Sequence, residues 1–397
     1  MKNILLGVTG GIAAFKAAQL ASRLRQGGFE VQVVMTKAAT EFVTPLTFRE
    51  LTGQVVHLEQ FAEPKNWQME HISLARWADL FVIAPATANI IGKLAHGIAD
   101  DLLTTVALAT TAPLLVAPAM NSQMYLHPAT AANLTILKER GVQFVGPARG
   151  HLACGEEGVG RMAPVAQIQE RIVGLLSPQV LSGKKVLVTA GPTREAIDPF
   201  RFISNYSTGR MGYAIAQVAS QMGAEVILVS GPTQLPAPFG VERIMVESAS
   251  QMKKAVLAHF DEVQVVVKAA AVSDWQSITY SEQKLKKDQR EELCLKLVPT
   301  SDILAELGQR KNGQFIVGFA AESENLEHYA TGKLQSKGCD MIVANPIGRA
   351  DAGFASETNQ VTIITQDSQD KWPLLGKDEV AKRLWLRIAK ELEGRSS

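Results

Sequence analysis

The chain has 397 residues, 46% of them hydrophobic and 20% charged, which is enough apolar material for two cores and makes two domains the expectation. Forty basic against 39 acidic side chains leave a net charge of +1, which argues against a nucleic-acid or membrane-surface binder. Cys154, Cys294 and Cys339 form no CxxC pair, supply neither a disulfide framework nor a zinc site, and suit a reducing cytoplasm. No apolar stretch reaches the roughly 18 residues of a membrane span.

Asn3–Val8 predicts a first strand, and Thr9-Gly-Gly-Ile-Ala-Ala14 follows it. Ala13, Ala17, Leu20 and Leu24 then recur on one helical face, with Lys16, Arg23 and Gln26 elsewhere. Glycines at 10 and 11 break the opening apolar run, so a strand and helix fit better than a signal peptide. Further strands are predicted at Val31–Met35, Asp79–Ala84, Leu114–Pro118 and Val142–Val145. Such strand–helix alternation implies a parallel sheet covered on both faces, with ligands at the carboxyl ends of its strands.

Those ends carry the first half's candidate chemistry. Gly10 and Gly11 permit a sharp turn and a phosphate at the helix N-terminus. The spacing is not G-x-G-x-x-G, so no NAD fingerprint is read, and a plain βα turn is the alternative. Thr87 and Asn89, in Ala84-Pro-Ala-Thr-Ala-Asn89, suit a flavin ring edge or ribityl chain, or else cap the next helix. Asn121, in Ala117-Pro-Ala-Met-Asn121, could grip a carboxylate. His71 sits in an amphipathic segment where a histidine is usually structural. Cys154 lies in the glycine-rich stretch Arg149–Met162, which reads as a flap bearing an accessible thiol.

Between Leu176 and Lys185 the pattern lapses into Ser, Pro, Gly and Lys, which divides the chain into domains 1–178 and 184–397. Strands resume at Lys185–Ala190, Glu225–Ser230, Gln264–Ala269, Phe315–Gly318, Met341–Ala344 and Val361–Thr365. After the first of these, a long polar loop runs to an Ala-rich helix at Gly212, a second phosphate-ready turn. The charged stretch Lys284–Glu292 predicts an exposed loop or strand pair. The fold class expected is α/β: two Rossmann-like domains with mainly parallel sheets.

In order, Gly-Gly-Ile-Ala, His71-Ile-x-Leu-x-x-Trp-Ala-Asp79, Ala-Pro-Ala-Thr-Ala-Asn, Pro-Ala-Met-Asn and Ala-Cys-Gly resemble the flavin-dependent cysteine decarboxylases. The resemblance implies a flavodoxin-like domain with FMN held by Thr9, Gly10, Gly11, Thr87 and Asn89. It implies His71 as acid/base, Asn121 on the substrate carboxylate and Cys154 as proton donor. Tyr125 stands where that family often has a larger aromatic. Such chemistry suits the substrate, because a simple aliphatic carboxylate has no electron sink until the neighbouring thiol carbon is oxidised.

The second half resembles the bacterial, CTP-using phosphopantothenate–cysteine ligases. The resemblance rests on Ala190-Gly-Pro-Thr-Arg-Glu195, Asp198-Pro-x-Arg-x-Ile-Ser-Asn205, Ser207-Thr-Gly-x-Met-Gly212, Ala269-Ala-Ala-Val-Ser-Asp274, Lys284-Leu-Lys-Lys287, Val317-Gly-Phe-Ala-Ala-Glu322 and Ala344-Asn345. It implies that Lys284 assists formation of an acyl-cytidylate and Asn205 its attack by the cysteine amine, with Arg201 in the same pocket. It further implies that Asp274, Lys333 and Lys337 contact CTP or its Mg2+, with Asp274 as the metal contact. Phe319 would lie against the cytosine, and Ala270 would approach through its backbone. Asp302 and Ile303 belong to the same set, although Thr300-Ser-Asp-Ile303 departs from the Asn-Pro-Asp-Ile usual there. Without the resemblance, Lys284, Lys286 and Lys287 read as a solvated face and Phe319 as core.

Fused, the halves resemble the bifunctional decarboxylase/ligases of coenzyme A biosynthesis. That family implies 4′-phosphopantothenate, cysteine and CTP as substrates, no nucleic-acid or membrane partner, and a homo-oligomer with trimer contacts in the first domain and dimer contacts in the second. Two other classes fit parts of the pattern. One is a flavin-binding regulatory module; the other is a nicotinamide-dependent oxidoreductase.

Overall fold

Alternate residues of each β-branched run face opposite layers of helices, so every central strand is buried on both sides. The computed structural model describes residues 1–61, 69–151, 155, 157–286, 292–322, 326–346 and 356–396. It divides into two units, Met1–Ser177 and Pro178–Ser397.

The first unit holds a six-stranded sheet of β1 (Asn3–Val8), β2 (Glu30–Met35), β3 (Val56–His57), β4 (Leu80–Ala86), β5 (Leu114–Pro118) and β6 (Gln143–Phe144). Its order is β3-β2-β1-β4-β5-β6, parallel throughout. That is the doubly wound dinucleotide order; without the two-residue edge strand β3 it reduces to the flavodoxin-like order. Ile4, Leu6 and Val8 pack with Ala17, Leu20 and Leu24 of α1 (Ala14–Gln26), while Leu5 faces the other layer with Phe81 and Ile83. The unit's last helix, α6 (Val165–Leu176), seals the α1 side through Val165, Ile168 and Ile172. Short helices at the strand ends are α2 (Lys37–Thr40), α3 (Glu70–Trp77), α4 (Ala88–His96) and α5 (Ser122–Leu126). An antiparallel hairpin of β7 (Ala148–His151) and β8 (Glu157–Arg161) occupies the glycine-rich stretch.

The second unit's main sheet has eight strands: β9 (Lys185–Ala190), β10 (Glu225–Ser230), β11 (Val241–Met245), β12 (Val265–Lys268), β13 (Phe315–Glu322), β14 (Met341–Pro346), β15 (Thr362–Ile364) and β16 (Gln369–Lys371). The order is β11-β10-β9-β12-β13-β14-β15-β16, parallel as far as β14 and antiparallel beyond. β13 and β14 run further than the apolar pattern predicts. Their polar ends are held by pairing with each other, from Val317↔Met341 to Glu322↔Pro346. At the other extreme β6 shrinks to two residues, because an edge strand has a partner on one side only.

Helices α7 (Arg210–Gln221), α8 (Ile303–Arg310), α9 (Leu326–Ser336) and α10 (Lys377–Ser396) flank this sheet. Trp385 of α10 is fully buried, and its indole N–H donates to the Ile215 carbonyl of α7 at 2.8 Å. Truncating such a side chain costs about 3–5 kcal/mol, a large share of a domain's typical stability.

Candidate active sites

At the end of β1, Thr9 is buried, with its hydroxyl donating to the Pro85 carbonyl (2.8 Å) and accepting the Thr87 N–H (3.2 Å). It therefore ties two adjacent strand ends together and sits beneath the site rather than in it. Gly10 is set by close approach: a Cβ there would lie 2.4 Å from the Ala38 Cβ and 2.8 Å from its carbonyl carbon. α2 reaches this position because Thr36 caps it, accepting the Ala39 N–H.

Above the turn lies a cavity of about 650 Å³ lined by Gly10, Gly11, Thr87 and Asn121, within the 300–1,000 Å³ usual for ligand sites. Phe15, Met120, Met124 and Met162 give it an apolar wall. Lys16, His151 and Arg161 add polar groups. Burial and the Arg161 charge both push the Lys16 ammonium below its ordinary pKa. An anion between these two cations would relieve that strain. Apolar walls and cationic groups in one cavity suit FMN, which combines an aromatic ring with a phosphate.

The β7–β8 hairpin forms part of this wall. Gly160 has φ +138°, and a Cβ on it would come within 2.2 Å of the Met120 carbonyl oxygen. The Met120 N–H donates to Gly160 O at 2.9 Å and the Ser122 hydroxyl to Val159 O at 2.7 Å. Cys154 falls between the two strands, outside the described residues.

Two expected ligand groups also serve the backbone. Thr87 caps α4 by accepting the Ile90 N–H, and Asn121 Oδ1 accepts the Gln123 N–H at 2.8 Å. Asn89 departs from expectation: it is exposed on the first turn of α4 and does not line the cavity, because helix geometry turns it away from Thr87. His71 is half-buried on α3 and is likewise outside the lining.

In the second unit, Asp198 gathers the loop after β9. Its buried carboxylate accepts N–H groups from Phe200 (2.8 Å), Arg201 (2.8 Å) and Leu285 (3.1 Å), and pairs with the Arg201 guanidinium at 3.1 Å. Burial acts to raise its pKa, but the three N–H groups and Arg201 outweigh it and hold the carboxyl below the usual range. Arg201 also donates to Leu285 O at 2.9 Å, and the exposed Lys284 ammonium sits 4.7 Å from the centre of the Phe200 ring. One buried carboxylate thus brings Arg201 and Lys284 together.

Asn205 anchors the same loop, donating to Ala271 O at 2.7 Å and accepting the Ser207 N–H at 3.0 Å. The Ala270 N–H donates to Thr189 Oγ1 (3.1 Å), so a backbone approach to a ligand there falls to another atom. Asp274 is exposed at the end of this segment.

A third group lies at the start of α8. Asp302 caps that helix through the Ala305 N–H and pairs with Lys337 at 2.7 Å. Ile303 is 3% exposed and packs in the core, so its side chain is unavailable to a ligand. Lys333 on α9 and Phe319 on β13 are half-buried, Phe319 against the opposite face of the core. Among the described residues no group of three or more His, Cys, Asp or Glu could hold a metal ion.

Residues 1–177 match the family described as Flavoprotein, and residues 181–392 match the DNA/pantothenate metabolism flavoprotein C-terminal domain. The coenzyme A biosynthesis bifunctional protein CoaBC of Bacillus subtilis (strain 168) is 48% identical over 393 residues, covering 98% of this chain and 97% of that relative. The protein of the same description from Vibrio cholerae serotype O1 is 46% identical over 393 residues, covering 98% of each. The chain belongs to this bifunctional family. It is an enzyme of coenzyme A biosynthesis, a flavoprotein decarboxylase and a ligase in one polypeptide, built as two α/β units with mainly parallel sheets.

Sequence reasoning passed over four groups around these bifunctional sites. Lys16 and Arg161 meet at the first cavity although 145 positions separate them, and only the fold joins them. Asp198 stood in a quoted motif without a role. Lys268 fell inside the predicted strand Gln264–Ala269 and was given no role. No helix among the described residues is long and apolar enough to cross a membrane.

Proposed function

We propose that the second unit joins 4′-phosphopantothenate to cysteine through an acyl-cytidylate made from CTP, and that the first unit decarboxylates the product to 4′-phosphopantetheine with FMN. One observation carries this: a cationic, apolar-walled cavity at the Gly10–Gly11 turn coexists with a second cationic group in the other unit, where Asp198 holds Arg201 against the Leu285 backbone beside Lys284. Near full-length similarity to coenzyme A biosynthesis bifunctional proteins supports the same reading.

In the first unit, Gly10, Gly11 and Thr87 hold FMN, while Lys16 and Arg161 neutralise its phosphate. The methionines and Phe15 keep water from the ring. When bound, FMN supplies reversible hydride acceptance, which gives the substrate its electron sink. Asn121 orients the substrate carboxylate, its amide fixed by Gln123; His71 acts as acid/base; and Cys154 donates the closing proton. In the second unit, Lys284 and Arg201 offset charge on the phosphoryl group in transfer, and Asn205 supports amine attack. Mg2+ enters with the triphosphate, as it commonly does where no all-protein cage exists, and Asp274 is its candidate protein contact. The enzyme works in the cytoplasm as a homo-oligomer, with trimer contacts in the first unit and dimer contacts in the second.

Given CTP, Mg2+, cysteine and 4′-phosphopantothenate, the purified protein yields CMP, pyrophosphate and phosphopantetheine. Chromatography showing none of them removes the proposal. Cys154→Ser halts the flavin half after carbon dioxide release and leaves amide formation intact. An unchanged phosphopantetheine yield would take Cys154 out of the mechanism.

A further inference from the structure

Lys268 is the last residue of β12 and is 8% exposed. Val266, two positions earlier, packs with Ile303, Leu304 and Leu307 of α8 and with Ala330 and Leu334 of α9. Strand alternation turns Lys268 to that same face, one step nearer the sheet's carboxyl end. Its register partners on the adjoining strands, Thr189 and Gly318, carry no charge. Across the helix layer, Asp302 attracts its ammonium and Lys333 repels it. Asp302 is already committed to Lys337 and to the Ala305 N–H. Cys339, the other titratable group on this side, is pushed up to about 12 by burial and carries no charge at neutral pH. The hydrogen bonds and ion pairs found among the described residues do not include the Lys268 ammonium, and it is not one of their fully buried unpartnered atoms, so it keeps some contact with solvent.

An ammonium held largely out of water is costly unless an anion meets it. Three lysines and one carboxylate leave this corner with a surplus of positive charge, at the sheet end where α/β folds bind ligands. We propose that Lys268 is a further substrate-binding residue of the ligase half, its ammonium joining Lys333 and Lys337 on a phosphate oxyanion of the nucleoside triphosphate. This rests on the CTP reading above. In the free enzyme, burial lowers the Lys268 pKa to about 8. An arriving oxyanion favours the charged form, so nucleotide binding near pH 8 draws a proton from solution.

The test is calorimetric titration of the full-length protein with CTP and Mg2+ at pH 8, in two buffers of different ionisation enthalpy. The unaltered protein takes up a fraction of a proton per site, because the free group is only partly charged near its pKa. Lys268→Met takes up none and binds CTP at least about tenfold more weakly, roughly 1.4 kcal/mol. Lys268→Arg binds without proton uptake, since a guanidinium stays charged. Methionine also removes a buried charge, so the thermal midpoint of the second unit is kept or raised. Equal CTP affinity and proton uptake in Lys268→Met overturn the inference. So does a lowered midpoint with unchanged affinity, which marks a structural lysine, or a loss confined to a parallel titration with 4′-phosphopantothenate, the other phosphate source. If the unaltered protein binds no CTP, the nucleotide reading itself falls and takes this inference with it.

Discussion

Gly10→Val yields a colourless protein that still makes the amide and no longer removes its carboxyl. The Cβ of any residue at this position lands 2.4 Å from the Ala38 Cβ and 2.8–2.9 Å from Ala38 backbone atoms, closer than real Cβ atoms approach. Backbone cannot yield as a long side chain does, so the turn or α2 must shift. Overpacking of this kind costs about 1–3 kcal/mol. Its functional effect is larger, because displacing a binding turn by about 1 Å can cost 10²-fold in rate. The second unit has its own cores and is untouched. Absorbance at the flavin bands and accumulation of 4′-phosphopantothenoylcysteine are the two readouts. A yellow variant with full decarboxylation would move the flavin elsewhere.

Asp198→Asn gives the mirror result, a yellow decarboxylase with ligation lowered about 10²-fold. The carboxylate accepts three N–H groups and a guanidinium. An amide in its place aims its own N–H at one of those donors, leaving it unsatisfied. Arg201 and the Leu285 backbone then separate, and Lys284 loses its position. The pH behaviour follows from the direction of the shift. A folded pKa below the unfolded value of roughly 3.9 means a stabilising contribution that is complete above the unfolded value and lost as pH falls through the folded one. Thermal midpoints of the unaltered protein therefore drop below about pH 4, and those of Asp198→Asn drop less over the same range. Parallel midpoint curves would show that Asp198 is not held as described.

Strands were legible where the pattern was local. Lys185–Ala190 and Glu225–Ser230 begin and end where their apolar runs do. β13 continues to Glu322 on pairing that no single-strand pattern contains. The family was legible from ordered motifs, whereas the corners those motifs build were only partly so. Thr9, Asn205 and Asp198 spend hydrogen bonds on joining loops, and their partners are as far as 87 positions away. A polar residue in a loop motif looks alike whether it grips a ligand or the backbone that does. Lys268 shows the converse, since the strand predicted at Gln264–Ala269 carries no sign that its lysine is largely enclosed.

In each unit one of the two cores is finished by the closing helix: Val165, Ile168 and Ile172 in one, and Trp385, reaching Ile215 across 170 positions, in the other. During synthesis the two catalysts consequently mature in turn rather than together. A nascent polypeptide can assemble its flavin-handling portion while the nucleotide-using portion still lacks the indole that locks it. Ribosomes that stall before Trp385 would release a decarboxylase with no working ligase to feed it.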